Sequence, residues 1–298
     1  MRNHLVFIIC LLAGCVVYFP PISALAELTL HSELYSHISL IPAVSLFFMW
    51  KRRGEIFSET TSSIPAGGTV VAAGLVVYGI ALAFQGQLDT VAFRNTDMPN
   101  DFLTLCMAGF AAWVIGSFMA VYGKQASKKA MFPLGFLAFM IPIPSFLLNL
   151  IVTALQHASA EAANLVFMLS GAPYMRSGLV FEFSNVAVKV AEECSGIRSS
   201  LAFFILSIIT GYMFLETVSR RVILALAIFP ITVVKNAFRI VTITLLANYV
   251  DMRFLSSHWI HTSGGIPFFA VGLALFIPLV WALRRTEIKR VPKVRLDA

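Results

Sequence analysis

Charged side chains are scarce in this sequence. Asp, Glu, Lys and Arg make up 12% of the 298 residues, whereas soluble globular domains carry about 25%. Hydrophobic residues account for 58% of the chain. A soluble core could not enclose so many apolar side chains, so lipid must contact much of the surface. The composition therefore predicts an all-α polytopic membrane protein, folded as one integral-membrane domain over residues 1–298.

The sequence also lacks the usual cofactor and metal motifs. It has no His-Glu zinc pattern, no phosphate-binding Gly loop and no dinucleotide fingerprint. Three of the four cysteines, Cys10, Cys15 and Cys106, lie in apolar runs, where cysteine acts as a small hydrophobic residue. Only Cys194 lies in a polar setting. We therefore expect no metal and no cofactor.

Nucleic-acid binding is excluded on similar grounds, although the net charge is +7. No basic stripe and no aromatic platform is visible in the sequence. The Lys and Arg residues instead gather in short stretches between apolar runs, which is typical of the cytoplasmic loops of membrane proteins. The lipid bilayer is therefore the expected partner of the basic residues.

Apolar runs predict about eight transmembrane helices. They lie near residues 5–24, 37–50, 68–84, 102–123, 131–151, 197–215, 222–247 and 264–283. With these spans, 15 of the 22 Lys and Arg residues fall on one side, including those in the tail 284–298. The positive-inside rule makes that side cytoplasmic and places both termini inside a cell inner membrane. The first run also resembles a signal peptide, but we expect it to remain as an uncleaved span.

The segment 152–196 is predicted to lie on the extracytoplasmic side. Polar residues scattered among apolar ones over 152–170 predict a helix on the membrane surface. The run Gly171-Ala172-Pro173 ends that helix. Alternating residues over 179–183 and 186–190 then predict a small β-hairpin. The hairpin leads the chain to Cys194 at the start of the sixth span.

Cys194 precedes a long apolar helix. The free N–H groups and partial positive charge of a helix N-terminus favour a thiolate. Arg198 adds a positive charge four residues later, within about one helical turn. From its position alone, Cys194 is either a nucleophile or an inert residue at the helix cap.

Arg239 lies inside a predicted span, in its outer half. A charged side chain there is costly unless it faces a polar cavity or a partner. Lys235 lies one turn earlier on the same helical face. The two cations favour a site for an anion, a carboxylate or a developing oxyanion. The alternative is a span that ends earlier and leaves Arg239 at the interface.

His258 and His261 lie just before the last span, on the membrane face that Cys194 and Arg239 also reach. Imidazole exchanges protons near neutral pH. A thiolate that attacks a peptide carbonyl, a cation that stabilises the oxyanion and a histidine that protonates the leaving amine would together perform acyl transfer. Water as the acceptor would make a protease, and an amine or hydroxyl would make a transpeptidase.

At these residues the sequence resembles the exosortase/archaeosortase family. The matching pieces are Cys194-Ser195-Gly196-Ile197-Arg198, Asn236-Ala237-Phe238-Arg239, and His261 with Gly265 four residues later. The resemblance implies a multi-pass cysteine peptidase or transpeptidase with Cys194 as nucleophile. It implies that Arg239 stabilises the oxyanion or positions the substrate. His261, rather than His258, would be the proton donor and acceptor, because of its spacing to Gly265.

The resemblance also implies the substrates. They are membrane-anchored proteins with a C-terminal sorting signal, which consists of a motif such as Pro-Glu-Pro, a transmembrane helix and a basic cluster. Cleavage at the outer face would pass them to a surface anchor, in connection with exopolysaccharide export. The alternative is a transporter or an assembly component of polysaccharide export without peptidase activity, because intramembrane cations also mark anion paths.

Overall fold

A computed structural model describes residues 2–88, 100–191, 196–256 and 265–287 of the chain. Cys194, His258, His261 and the part of the basic tail from residue 288 onward lie outside these ranges. The chain divides into two compact units, Met1–Asn149 and Leu150–Ala298. Its secondary structure is mostly α-helical, which confirms the predicted fold class.

The first unit is built from helices. They are α1 (Arg2–Val17), α2 (Phe19–His31), α3 (Ile41–Lys51), α4 (Arg53–Ile56), α5 (Ile64–Ala83), α6 (Gln85–Leu88), α7 (Asn100–Lys129, interrupted at Gly123) and α8 (Met131–Phe136). Short 3₁₀ helices precede α3 at Ser36–Leu40 and follow α8 at Leu137–Met140.

Helices α5 and α7 pack closely because both carry glycine at their contact. A Cβ added to Gly74 would lie 2.6 Å from the carbonyl oxygen of Gly109. A Cβ added to Gly116 would lie 2.8 Å from the carbonyl oxygen of Gly67. Lipid supplies no hydrophobic force between helices, so close van der Waals contact of this kind stabilises their association.

Basic residues of the first unit gather at one end. The Nδ1 of His4, near the start of α1, lies 2.7 Å from the hydroxyl of Tyr122, near the end of α7. The Nζ of Lys129 donates a 2.9 Å hydrogen bond to the Oγ of Ser58, just after α4. The basic stretches beside the start of α1, at the junction of α3 and α4, and at the end of α7 therefore lie together.

The second unit contains most of α9 (Ser145–Ser170), then β1 (Met175–Ser177), β2 (Val180–Glu182), β3 (Ala187–Lys189), α10 (Ile197–Phe214), α11 (Val218–Tyr249), α12 (Arg253–Ser256) and α13 (Gly265–Arg285). The strands form an antiparallel sheet in the order β1-β2-β3, with Val180 opposite Lys189. The predicted hairpin corresponds to β2 and β3. The additional strand β1 was not predicted.

One face of this sheet packs against α9 and α11. The shared core consists of Ala160, Ala163 and Phe167 of α9, Phe181 and Val190 of the sheet segment, and Ala237, Ile240 and Val241 of α11. The rings of Phe167 and Phe181 lie 5.1 Å apart between centroids. This apolar packing fixes the small sheet beside the half of α11 that contains Arg239.

The end of the second unit that carries Arg220 is closed by polar contacts. The Nη1 of Arg220 donates a 2.7 Å hydrogen bond to the carbonyl oxygen of Leu283, near the end of α13. The Oε1 of Glu287 accepts hydrogen bonds from the backbone N–H groups of Glu216 and Thr217, both 2.8 Å long. Arg220, Arg221, Arg284 and Arg285 therefore lie at the same end of this unit.

The number of membrane spans differs from the prediction. Within the described ranges, five helices are long and apolar enough to cross a membrane: Ile64–Ala83, Asp101–Lys129, Ile197–Phe214, Val218–Tyr249 and Pro267–Arg285. Two further helix pairs qualify if each is one broken span, namely α1 with α2, bent by 78°, and Met131–Met140 with α9, bent by 85°. The count is therefore five to seven, and the predicted eight spans are not confirmed.

Proline explains where the predicted spans are interrupted. Pro142 and Pro144 separate Met131–Met140 from α9, because proline lacks the N–H that a continuous helix requires. The predicted span 131–151 is therefore divided, and the following helix begins at Ser145 rather than at 152. The predicted span 37–50 is a 3₁₀ turn followed by the 11-residue helix α3, which is too short to cross a bilayer alone.

Candidate functional site

Three cations of α10 and α11 lie near one another. Lys235 is 3% exposed, and its Nζ donates a hydrogen bond to the Oγ of Ser199. Arg239 lies one turn after Lys235, and its charge acts on both Lys235 and Arg198. Since like charges repel at short range, this cluster favours a bound anion or a developing negative charge.

Helix α11 continues past Arg239 to Tyr249. The helix therefore does not end before Arg239, although at 32 residues it is longer than the roughly 20 that a bilayer requires. The Arg239 side chain is half-buried, and its Nε is inaccessible to solvent and has no hydrogen-bond partner in the part of the chain that the structure describes. A buried donor of this kind is costly when unpaired, so it requires an acceptor that the described residues do not supply.

Arg239 lies on the wall of a small, partly open groove. The groove is bounded by residues 188–190 at the end of β3, by Arg239, Ile243 and Thr244 of α11, and by Leu255 of α12. Thr244 is 1% exposed, and its Oγ1 also has no hydrogen-bond partner among the described residues. The groove thus has mostly apolar walls and lies beside two buried polar atoms that lack partners among the described residues.

The start of α10 is fixed by α11 and α9. Gly196, at the N-cap of α10, has a φ of 76°, which favours glycine. A Cβ at Gly196 would lie 3.1 Å from the Oδ1 of Asn236. The Nδ2 of Asn236 donates a 3.0 Å hydrogen bond to the Oγ of Ser159, and both side chains are buried. These contacts hold the residue that lies two positions after Cys194 in sequence.

The chain is also fixed before this point. The Nε2 of Gln156, on α9, donates a 2.6 Å hydrogen bond to the carbonyl oxygen of Val190, just after β3. Gln156 is 7% exposed, so this bond lies inside the protein. Both described stretches that flank Cys194 in sequence are thus tied to α9 by buried polar side chains.

Helix α13 reaches the same cluster. A Cβ added to Gly272 would lie 3.5 Å from the Cδ of Lys235. The rings of Phe203 on α10 and Phe269 on α13 stack with centroids 4.5 Å apart. Helix α13 begins four residues after His261 in sequence, so the helices that follow Cys194 and His261 pack against each other and against α11.

The structure therefore brings together Arg198, Lys235 and Arg239, while Cys194, His258 and His261 lie outside the described residues. Sequence reasoning missed the supporting polar side chains Gln156, Ser159, Ser199, Asn236 and Thr244. The pattern over 152–170 predicts a surface helix with its polar residues exposed, but Gln156 and Ser159 of this segment are buried. Gln156 and Ser159 are three residues apart and share a helical face with the apolar Ala160 and Ala163. This spacing was the signal in the sequence that both side chains are buried.

Comparison with known proteins identifies the family of the chain. A family model described as transmembrane exosortase matches residues 28–278. The match covers both units and includes the motifs around Cys194, Arg239 and His261. No curated protein and no solved structure matches the chain. Since the matched residues make up most of the sequence, this multi-pass membrane protein belongs to the transmembrane exosortase family.

Proposed function

We propose that this protein is a cysteine-dependent sorting enzyme, which cleaves membrane-anchored proteins at a C-terminal sorting signal and transfers them to an acceptor. Family membership supports the sorting role. The observation that carries the proposal is the cluster of Arg198, Lys235 and Arg239, of which Arg239 lines a groove beside β3. This arrangement is suited to stabilising negative charge on a substrate.

The proposed reaction proceeds by acyl transfer. The thiolate of Cys194 attacks the carbonyl carbon of the scissile peptide bond and forms a C–S bond. Arg239 stabilises the resulting oxyanion. The C–N bond then breaks, and His261 gives a proton to the leaving amine. An acceptor with a hydroxyl or amine attacks the thioester, gives its proton to His261 and releases the thiolate.

The remaining cations have supporting roles in this proposal. Lys235 and the N-terminal end of α10 add positive potential around Arg239, which favours both the thiolate and the oxyanion. The hydrogen bond from Lys235 to Ser199 joins α11 to the first turn of α10. Arg198, in the same turn, is exposed, and we assign it a role in contacting the substrate.

The position of Arg239 along α11 supports an active site at the outer face. Nineteen residues separate Arg220 from Arg239, which corresponds to roughly 28 Å of helix. This is close to the thickness of the hydrocarbon core, about 30 Å. The end with Arg220, Arg221, Arg284 and Arg285 is cytoplasmic by the positive-inside rule. Arg239 then lies near the opposite surface, where a sorting signal emerges.

The distribution of polar side chains favours an enzyme over an anion transporter. Towards the basic end of α11, the buried hydroxyl of Thr232 bonds to the carbonyl oxygen of Ile228 in its own helix, at 2.9 Å. On α10, Ser207 likewise bonds to Phe204 at 2.7 Å. Among the described residues of the second unit, buried polar groups that bridge different elements, such as Lys235, Asn236 and Asn248, lie instead in the half of α11 that contains Arg239. A transport path would require such groups across the full depth.

The proposal is tested with a reporter protein that carries the C-terminal signal and is produced together with the full-length chain. We expect Cys194→Ala to abolish processing, because no other residue would supply the nucleophile. Cys106→Ala is the matched control, since Cys106 is buried in the first unit, and it should process the reporter normally. Wild-type processing by Cys194→Ala would refute the enzyme proposal. Mass spectrometry of the mature C-terminus distinguishes hydrolysis from transfer.

A further inference from the structure

Strand β3 has a free edge. In the sheet, the backbone N–H of Val190 donates to the carbonyl oxygen of Leu179 at 2.9 Å, and that of Phe183 donates to Val186 at 2.8 Å. Residues of an antiparallel pair alternate between those bonded to the neighbouring strand and those that point away from it. The backbone groups of Ala187 and Lys189 therefore point away from β2, towards the open side of the sheet.

Among the described residues, none pairs with the backbone groups of this edge. No residue in the described ranges forms a hydrogen bond with the N–H or C=O of Ala187 or Lys189. Both residues are exposed. Edge strands in soluble and membrane proteins are normally covered, shortened or blocked, because an open edge accepts another strand. This edge is short, yet it is open beside the groove that contains Arg239.

The groove next to β3 has the chemistry of a peptide site. Residues 188–190 form one wall, and Ile243 and Leu255 provide apolar surface for side chains. Arg239 and Thr244 also line this groove. In the described part of the chain, neither Lys189 nor Arg239 forms an ion pair with a carboxylate. The groove thus favours an occupant that carries acidic and carbonyl groups.

We infer that the substrate segment containing the scissile bond binds as an extended strand along the free edge of β3. This inference rests on the proposed function and identifies how the same site recognises its substrate. Every second residue of an edge strand presents one donor and one acceptor on the open side, and these residues repeat at about 6.8 Å. A second peptide strand matches both groups with its own backbone. A phosphate or another simple anion would satisfy the donors alone.

The binding mode explains how one groove recognises a signal without a deep side-chain pocket. Main-chain bonds to Ala187 and Lys189 fix the depth and direction of the peptide. An acidic side chain of the substrate then reaches Lys189 or Arg239. Because Arg239 lies on the same groove wall, a peptide held by β3 presents its carbonyl groups to the cation that stabilises the oxyanion.

Proline at position 187 tests the inference. Ala187→Pro removes the outward N–H but leaves the bonds between β2 and β3 intact, which is the situation in which edge strands tolerate proline. We expect processing of the signal-bearing reporter to fall by about fivefold or more, as for one lost hydrogen bond. Ala187→Thr, which keeps the N–H, should process the reporter several-fold faster than Ala187→Pro. Equal activity of the two variants would overturn the inference.

A substrate-side experiment keeps the test independent of folding. Proline is placed in turn at each residue around the cleavage site of the reporter, with the wild-type enzyme. Pairing with β3 requires the substrate N–H at every second position, so processing should fall with a period of two residues. A loss without this period, or no loss at all, would contradict strand pairing.

Crosslinking separates this inference from the proposed chemistry. A photoreactive residue at position 189 of full-length Cys194→Ala should crosslink to reporter residues next to the cleavage site. The crosslink should weaken when Ala187→Pro is added. If the crosslink forms but Cys194→Ala still processes the reporter, strand binding stands and the proposal that Cys194 is the nucleophile is refuted. Processing that depends on Cys194 without a crosslink at 189 would refute strand binding alone.

Discussion

Arg239 is the residue on which the proposed chemistry depends most directly among those the structure describes. It is half-buried beside Lys235 and borders the groove under β3. The sequence predicted this pair from two cations one turn apart within an apolar helix. It could not predict Ser159 or Asn236 as supports, because the hydrogen bond between them joins residues 77 positions apart in the chain.

Two replacements of Arg239 distinguish the effect of its positive charge from the effect of its planar set of donors. We expect Arg239→Gln to lower the processing rate by about 100-fold, the usual effect of losing one oxyanion-stabilising donor. Arg239→Lys should recover only part of the rate, since lysine keeps the charge but not the planar fork of donors. Processing rates of the reporter in membranes measure both effects.

Arg253→Gln is the matched control for this change. Arg253 is exposed on α12 and pairs with Asp251 at 2.8 Å, away from the groove wall. Its replacement should leave the rate of reporter processing unchanged. Similar losses for Arg239→Gln and Arg253→Gln would indicate a general effect of positive charge rather than a catalytic role of Arg239.

At the scale of elements, the sequence predicted best what depends on neighbouring residues. The long apolar helices α5, α7, α10, α11 and α13 each correspond to a predicted span. The hairpin of β2 and β3 was predicted from alternation and is confirmed. Strand β1 was missed because its three residues pair with β2 and show little pattern alone. The bend before α9 was missed because two prolines were read as part of one span.

The contact between Glu287 and the start of α11 predicts that the stability of the fold depends on pH. Burial would raise the pKa of Glu287, but hydrogen bonds from Thr217 and Glu216 outweigh it and hold the pKa below the ordinary value of 4.5. A lowered pKa stabilises the folded state above that ordinary value, and the contribution is lost as the pH falls through the folded-state pKa. Glu287 also complements the N-terminal dipole of α11.

We therefore expect Glu287→Gln to lower the thermal unfolding temperature in detergent at pH 7. The difference from wild type should shrink as the pH falls below 4.5, because the wild-type carboxyl group then becomes protonated. Glu216→Gln is the control, since only its backbone N–H takes part in this contact. A difference that stays constant from pH 7 to pH 4 would contradict a role for the ionised carboxyl group.

At the scale of the whole molecule, the basic cluster around Arg220 and the proposed active site around Arg239 lie apart along α11. Basic residues cluster at one end within each compact unit. Arg239 and the groove lie at the other end of α11 in the second unit. The sequence predicted this separation through the positive-inside rule, although it assumed eight spans. The number of spans did not matter for this prediction, because each basic stretch directly adjoins the end of an apolar helix.

Side-specific labelling tests the orientation. In a background without the native cysteines, Lys189→Cys should react with a membrane-impermeant thiol reagent added from outside. Ser219→Cys, exposed next to Arg220, should react only after the membrane is opened. Labelling of Ser219→Cys from outside, together with protection of Lys189→Cys, would place the groove on the cytoplasmic side and reverse the orientation.

The most direct test of the account is mass spectrometry of the enzyme after brief reaction with the reporter. The account predicts a thioester between the sulfur of Cys194 and the new C-terminus of the reporter, which hydroxylamine releases. The adduct should be absent from Cys194→Ala and strongly reduced in Arg239→Gln. A reporter that is cleaved at the wild-type rate by Cys194→Ala, with no adduct at residue 194 of the wild-type enzyme, would contradict the account.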